Sequence, residues 1–186
     1  MVVYAAQHPE PRKVSALFLT RCAALHWGLQ PPLELARGPY GKPYLPLHPQ
    51  HHFNLSHSGT ILVCAMDDAP VGVDVQLCQP RRTAFLDKLC SPFERQWLRD
   101  RGDSGQAFAL LWSLKESRCK WSGRGLQRPI SDIRIPLPQS NENLLELEGL
   151  VFSLRAGEGW QLCLCSTSPW NGEIQWLSKF EDTEEY

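Results

Sequence analysis

Apolar residues recur along this chain with two different periods. Over residues 12–27, Val14, Leu17, Phe18, Cys22 and Leu25 return at three- and four-residue steps, which predicts an amphipathic helix with Gly28 as its C-terminal cap. Pro31-Pro32 ends any continuation, Leu33-Glu34-Leu35 reads as a short strand, and residues 37–49 are too rich in Gly and Pro for a regular element. Residues 52–66 read as strand, turn and strand, with the turn at Ser56-His57-Ser58-Gly59 and a fully apolar second strand, Ile61 to Met66. Asp67-Asp68-Ala69-Pro70 is a further turn, after which residues 71–77 are expected to pair back on the preceding strand. Ser91-Pro92-Phe93-Glu94 predicts a helix start, with Ser at the cap, Pro at the first position and Glu three after the Ser; that helix runs to about Arg99. After the break at residues 102–105 a second helix is expected over 106–121, with Phe108, Leu111, Trp112 and Cys119 on its buried face. Beyond it, residues 1–4, 130–135, 150–154 and 160–165 complete the strand candidates, residues 136–143 read as a loop, and the acidic residues 181–186 as a frayed end.

Two stretches place acids among apolar neighbours. Val71, Val73 and Val75 alternate with Gly72, Asp74 and Gln76, so Asp74 and Gln76 share one strand face. On the helix over 106–121, Glu116 falls four residues after Trp112 and Lys120 four after Glu116. An exposed i,i+4 pair contributes only a few tenths of a kcal/mol, whereas acids on a buried face are costly without a positive partner. A divalent cation ligated by carboxylate and amide oxygens would supply one. Ordinary pairing with a nearby lysine is the competing explanation.

Composition narrows the field. A chain of 186 residues with 42% hydrophobic residues and seven Trp can bury a sizeable core, as one domain or two packed halves. The balance of Lys+Arg 19 against Asp+Glu 20 argues against nucleic acid or an anionic membrane as the main partner. The sequence has no apolar run of transmembrane length and no basic-then-apolar leader. The seven Cys are an odd number scattered through strand-like and helix-like segments, which fits reduced, buried thiols in a cytoplasmic protein. Cys163 and Cys165 alternate with Leu162 and Leu164, as one face of a strand does, and no second Cys/His pair has zinc spacing.

Four motifs occur in a fixed order: Gly41-Lys42-Pro43; Phe53-Asn54-Leu55-Ser56-His57-Ser58; Gly72-Val73-Asp74-Val75; and Trp112-Ser113-Leu114-Lys115-Glu116-Ser117, followed by Lys120 and Gly123-Arg124-Gly125-Leu126. The ordered set resembles the Sfp-type 4′-phosphopantetheinyl transferases over residues 12–165. The resemblance implies an α+β fold of two pseudo-symmetric halves, each a small sheet with a packed helix, here placed at residues 1–70 and 71–186. It implies transfer of 4′-phosphopantetheine from coenzyme A to a serine of an acyl or peptidyl carrier protein, with release of 3′,5′-ADP and a requirement for Mg²⁺. It would put Asp74, Glu116 and Lys120 in the catalytic centre, with Asp74, Gln76 and Glu116 on the metal. It would also put Lys42, Ser56, His57 and Lys120 on coenzyme A.

The segment before the first helix is shorter than is usual in that family, so Arg12 and Lys13 at the helix start are the nearest substitutes for phosphate contacts drawn from there. Many relatives carry Glu where this chain has Gln76, which lowers the charge of the site by one. A monomeric, cytoplasmic enzyme is expected. Two other readings use the same residues: an inactive relative that only binds carrier protein or coenzyme A, and a metal-dependent phosphohydrolase.

Overall fold

The computed structural model describes residues 1–125 and 129–177. Leu126 of the fourth motif and the acidic end at 181–186 lie outside the described residues. The chain opens with β1 (Val2–Gln7) and α1 (Pro11–Trp27). Pro11 occupies the first turn of α1, and Gly28 closes it in the left-handed region at φ 70°, its N–H returning to Ala23 and Ala24 carbonyls. Two short strands, β2 (Ala36–Arg37) and β3 (Pro43–Tyr44), flank the Gly-rich loop, and the hairpin β4 (His52–Ser58) and β5 (Ile61–Asp67) follows. The second part begins with β6 (Gly72–Leu77), then α2 (Thr83–Leu89), α3 (Pro92–Arg99) and α4 (Gly105–Ser122). It ends in β7 (Leu144–Leu147), β8 (Leu150–Gly157), β9 (Trp160–Ser166) and β10 (Ile174–Trp176).

Eight of the strands described form two four-stranded sheets, ordered β10-β1-β5-β4 and β6-β9-β8-β7, and β2 and β3 pair separately. In the first, β1 is antiparallel to β5, which is antiparallel to β4; in the second, β6 stands in the same relation to β9 and β8. The repeated unit is therefore strand, helix, hairpin: β1-α1-β4-β5 and β6-α4-β8-β9. Strand β10 departs from this symmetry by returning to the first sheet, parallel to β1.

Alternation within the strands builds the layers. Tyr4, Ala6, Leu62, Cys64 and Met66 face Val14, Phe18 and Cys22 of α1. The opposite face of that sheet, with Val3, Ala5, Val63 and Ala65, packs on Val73, Val75, Leu162 and Leu164 of the second sheet. The far face of the second sheet presents Phe152, Leu154, Cys163 and Cys165 to Leu114 of α4. The order through the molecule is thus helix, sheet, sheet, helix. All seven cysteines are unpaired, and five are buried.

Several sequence expectations need correction. β6 pairs with β9, not with the preceding β5. Its uniformly apolar face fits either sheet, so periodicity could not choose between a near partner and one about ninety positions away. Ser56 and His57 belong to β4 rather than to the turn, which is Gly59-Thr60. Residues 130–135 hold a single 3-10 turn, Ile130–Asp132, not a strand. The strand expected at 33–35 instead forms at 36–37. The short strand Pro43–Tyr44 lies in the Gly- and Pro-rich stretch expected to hold no regular element, and α2, β7 and β10 are further elements without a sequence expectation; α2 is seven residues long and has no side-chain cap at its start.

Candidate active site at the seam between the sheets

β4 is an edge of the first sheet and β6 an edge of the second, and side chains join them. Asn54, Ser56 and Ser58, on one face of β4, accept the N–H groups of Val73 (2.8 Å), Val75 (3.3 Å) and Leu77 (3.0 Å). The Asn-x-Ser-x-Ser spacing is thus a ladder substitute, satisfying outward backbone donors that would otherwise be buried alone. Helix α4 lies against β6 so closely that a Cβ on Gly72 would stand 2.1 Å from the Ser117 carbonyl oxygen and 2.3 Å from the Trp121 nitrogen. Only glycine fits there, which gives the Gly-Val-Asp motif a packing cause.

That close approach sets Lys120 on Asp74. Asp74 is 2% exposed. Its Oδ1 accepts from Ser56 Oγ at 2.7 Å and from Lys120 Nζ at 2.7 Å, and its Oδ2 accepts from Gln76 Nε2 at 2.8 Å. Lys120 also donates to Ser56 Oγ (2.9 Å) and the Val73 carbonyl (3.2 Å). Asp74, Ser56, Gln76 and Lys120 are therefore one network.

Glu116, one helical turn before Lys120, is half-buried. Among the described residues its carboxylate has no hydrogen-bond or ion-pair partner. Burial, and then the charge of Asp74, push its pKa above the ordinary glutamate value, with Lys120 pulling the other way. An unpaired acid in the field of a second acid is a place where a cation or a proton is welcome. Among the described residues no three His, Cys, Asp or Glu side chains converge on a point. Two carboxylates are nevertheless an ordinary protein share for Mg²⁺, whose shell is completed by substrate phosphates and water, so the donor set fits that ion.

His57 alternates with Ser56 and turns to the other face of β4. Its pKa is held down by burial, then by the charges of Arg12 and Lys120. Arg12, exposed in the first turn of α1, thus belongs electrostatically with His57 and Lys120, a cationic group suited to phosphate. Lys13 is exposed and paired with Glu10 at 2.5 Å, and no contact among the described residues brings it to this group.

Two sequence-assigned residues have different engagements here. Lys42 donates to the carbonyls of Val71 (3.0 Å), Lys120 (2.7 Å) and Trp121 (3.4 Å), at the end of α4. Gln76 offers Asp74 its amide nitrogen, so its oxygen is turned away from that carboxylate. One buried ion pair was missed. Lys115, 0% exposed, meets Glu94 at 2.8 Å and donates to the carbonyls of Ile130 (2.7 Å) and Ile133 (3.4 Å). Its place four after Leu111 on the apolar stripe was a readable sign; its partners were not.

The model of the 4′-phosphopantetheinyl transferase superfamily matches residues 70–165, from just before β6 through β9. A Bacillus subtilis 4′-phosphopantetheinyl transferase is 32% identical over 164 residues, covering 84% of this chain and 73% of the relative. The 4′-phosphopantetheinyl transferase Sfp of Bacillus subtilis strain 168 is 31% identical over 137 residues, 70% of this chain and 61% of the relative. A third relative, psf-1 of Bacillus pumilus, is 33% identical over 136 residues, 69% and 58% of the two chains. The chain thus spans less than two thirds of the latter two. It belongs to the 4′-phosphopantetheinyl transferase superfamily.

Proposed function

We propose that the chain transfers the 4′-phosphopantetheine group of coenzyme A to a serine hydroxyl of an acyl or peptidyl carrier protein, releasing 3′,5′-ADP. The observation that carries this reading is the meeting, at one seam, of a buried Asp74 hydrogen-bonded at both carboxylate oxygens, a Glu116 with no partner among the described residues, and Lys120, which reaches both β4 and β6. The serine oxygen forms a bond to the pantetheine-bearing phosphorus. The bond from that phosphorus to the 3′,5′-ADP oxygen breaks, and the serine proton must leave. Glu116, half-buried and without a hydrogen-bond or ion-pair partner among the described residues, is the group suited to take the proton directly or through one water.

Asp74 and Glu116 would hold Mg²⁺, which supplies charge neutralisation at the pyrophosphate oxygens. Lys120, fixed by Ser56 and Asp74, would add a cation for the same oxygens. Arg12 and His57, which lie close enough for the charge of one to act on the other, would bind coenzyme A phosphate from the α1 side. Ser56 and Gln76 orient Asp74, and Lys13 is at most a distant contributor of charge.

Asp74, Glu116, Lys120 and Ser56 all come from one chain, which supports a monomer, and the unpaired thiols support a reducing, cytoplasmic setting. No helix among the described residues is long and apolar enough to cross a membrane.

The test is 3′,5′-ADP release from coenzyme A and Mg²⁺ with a carrier protein, the carrier with its acceptor serine replaced by alanine, or no carrier. Release only with the intact carrier supports transfer. Release without a carrier indicates a phosphohydrolase, and no release in any arm indicates a binding protein.

A further inference from the structure

Lys42 lies in a loop that is itself closed. Gly38 donates to the Lys42 carbonyl (2.9 Å), Arg37 Nη1 donates to the Gly41 carbonyl (3.0 Å), and Arg37 pairs with Pro43 in the β2–β3 ladder. From this fixed base the side chain reaches the end of α4. Lys120 and Trp121 are among the last four residues of that helix, whose carbonyls lack intrahelical donors. The ammonium sits on both of them and on Val71, which leads into the strand carrying Asp74. Gly123 closes the helix at φ 66°, and a Cβ there would meet Lys42 Cδ at 3.2 Å, so the cap leaves just the room the lysine stem uses. Three carbonyls take the three N–H bonds of one ammonium, and among the described residues no carboxylate pairs with it.

We propose that Lys42 is a positioning residue for Lys120, not a ligand of coenzyme A phosphate. It ties the last turn of α4 to the start of β6, so that the Lys120 ammonium stays on Ser56 and Asp74. Burial, which pushes the Lys42 ammonium down to about 8, accords with a cation engaged by neutral carbonyls. The consequence for catalysis rests on the transfer reaction proposed above, whereas the consequence for the helix end does not.

The test compares Lys42→Met, Lys120→Met and the double variant for kcat/KM toward coenzyme A, alongside amide hydrogen exchange over residues 118–123. If Lys42 acts through Lys120, K42M alone lowers kcat/KM by about tenfold, and K42M added to K120M lowers it by less than about threefold more. Exchange at the end of α4 quickens in K42M while β1 and β5 keep their protection. Additive losses, or unchanged exchange at the helix end, overturn the proposal.

The unmodified protein gives a second measurement, in which 3′,5′-ADP is added and the lysine ammonium signals are followed by NMR. A large shift at Lys120 and a small one at Lys42 is expected; a Lys42 shift equal to or larger than that of Lys120 overturns the assignment. Should the unmodified protein transfer nothing and yet K42M loosen the end of α4, the transfer reading fails while the tie itself stands.

Discussion

Gln76→Glu separates what position 76 does without metal from what it does with it. In the structure the Gln76 amide donates to Asp74 Oδ2 at 2.8 Å. A glutamate of nearly the same volume cannot donate, so a hydrogen bond to a charged acceptor is lost, worth about 1.5–3 kcal/mol. It also sets a second carboxylate beside a buried one. Two such charges ~4 Å apart repel by ~1 kcal/mol in water and by ~4 kcal/mol at an effective dielectric of ~20. Position 76 is half-buried and solvent screens part of this, so a net loss of about 2–3 kcal/mol is expected in the metal-free protein. For a chain of this size that is a fall of about 4–12 °C in Tm, at about 2–4 °C per kcal/mol.

At the proposed metal site Mg²⁺ is expected to reverse the sign, because the added carboxylate would attract the ion. An attraction of ~1.4 kcal/mol lowers the half-saturating Mg²⁺ concentration about tenfold. The assay is thermal melting of both proteins with chelator and across a Mg²⁺ series, with initial transfer rates at the same concentrations. An unchanged metal-free Tm would refute the Gln76–Asp74 contact. An unchanged or higher Mg²⁺ requirement would show that position 76 faces away from the ion.

Other outcomes follow from the same geometry. Burial, Arg12 and Lys120 keep His57 neutral when free, and a phosphate dianion raises its pKa, so binding of 3′,5′-ADP takes up a proton and strengthens as pH falls. His57→Ala weakens binding more than saturated turnover and removes this proton uptake, read by calorimetry in buffers of different ionisation enthalpy; an identical uptake in the variant would contradict it. Because Glu116 binds its proton more tightly folded than unfolded, its contribution to stability is full below the ordinary glutamate pKa and is lost as pH rises through the raised one. Glu116→Gln therefore melts higher than the parent at neutral pH without metal yet transfers poorly, and a lower Tm would refute a carboxylate destabilised by burial and by Asp74. Lys115→Met strands Glu94 in the interior and costs about 3–5 kcal/mol, part of which Glu94→Gln restores; urea unfolding reads both, and a cost under ~1 kcal/mol would contradict the buried pair.

The contrast between what was legible and what was not follows the range of the interactions. Asp74 and Gln76 on one strand face, Glu116 and Lys120 one helical turn apart, the Ser91–Glu94 capping box and the Gly28 cap are all local, and each could be read from spacing. The partner of β6 could not be read, because a valine run covered on both faces fits either sheet. Ser56 looks like a turn residue in sequence, because polar residues on an edge strand resemble a turn until the second sheet supplies the N–H groups they accept. Lys42 and Lys115 were beyond reach for another reason. Lys42 rests on backbone carbonyls 29 and 78 positions away, which carry no side-chain signature, and Lys115 on carbonyls 15 and 18 positions away and on Glu94, which lies on a different helix. The charge of Arg12 on His57 likewise depends on how α1 packs on the first sheet.

The most direct test of the central claim is the intact mass of a carrier protein after incubation with this protein, coenzyme A and Mg²⁺, run beside Asp74→Ala. The account predicts a gain of one phosphopantetheine on the acceptor serine with the parent protein and none with the variant, while circular dichroism shows the variant folded. No gain with the parent, or an undiminished gain with Asp74→Ala at ordinary Mg²⁺, would contradict it.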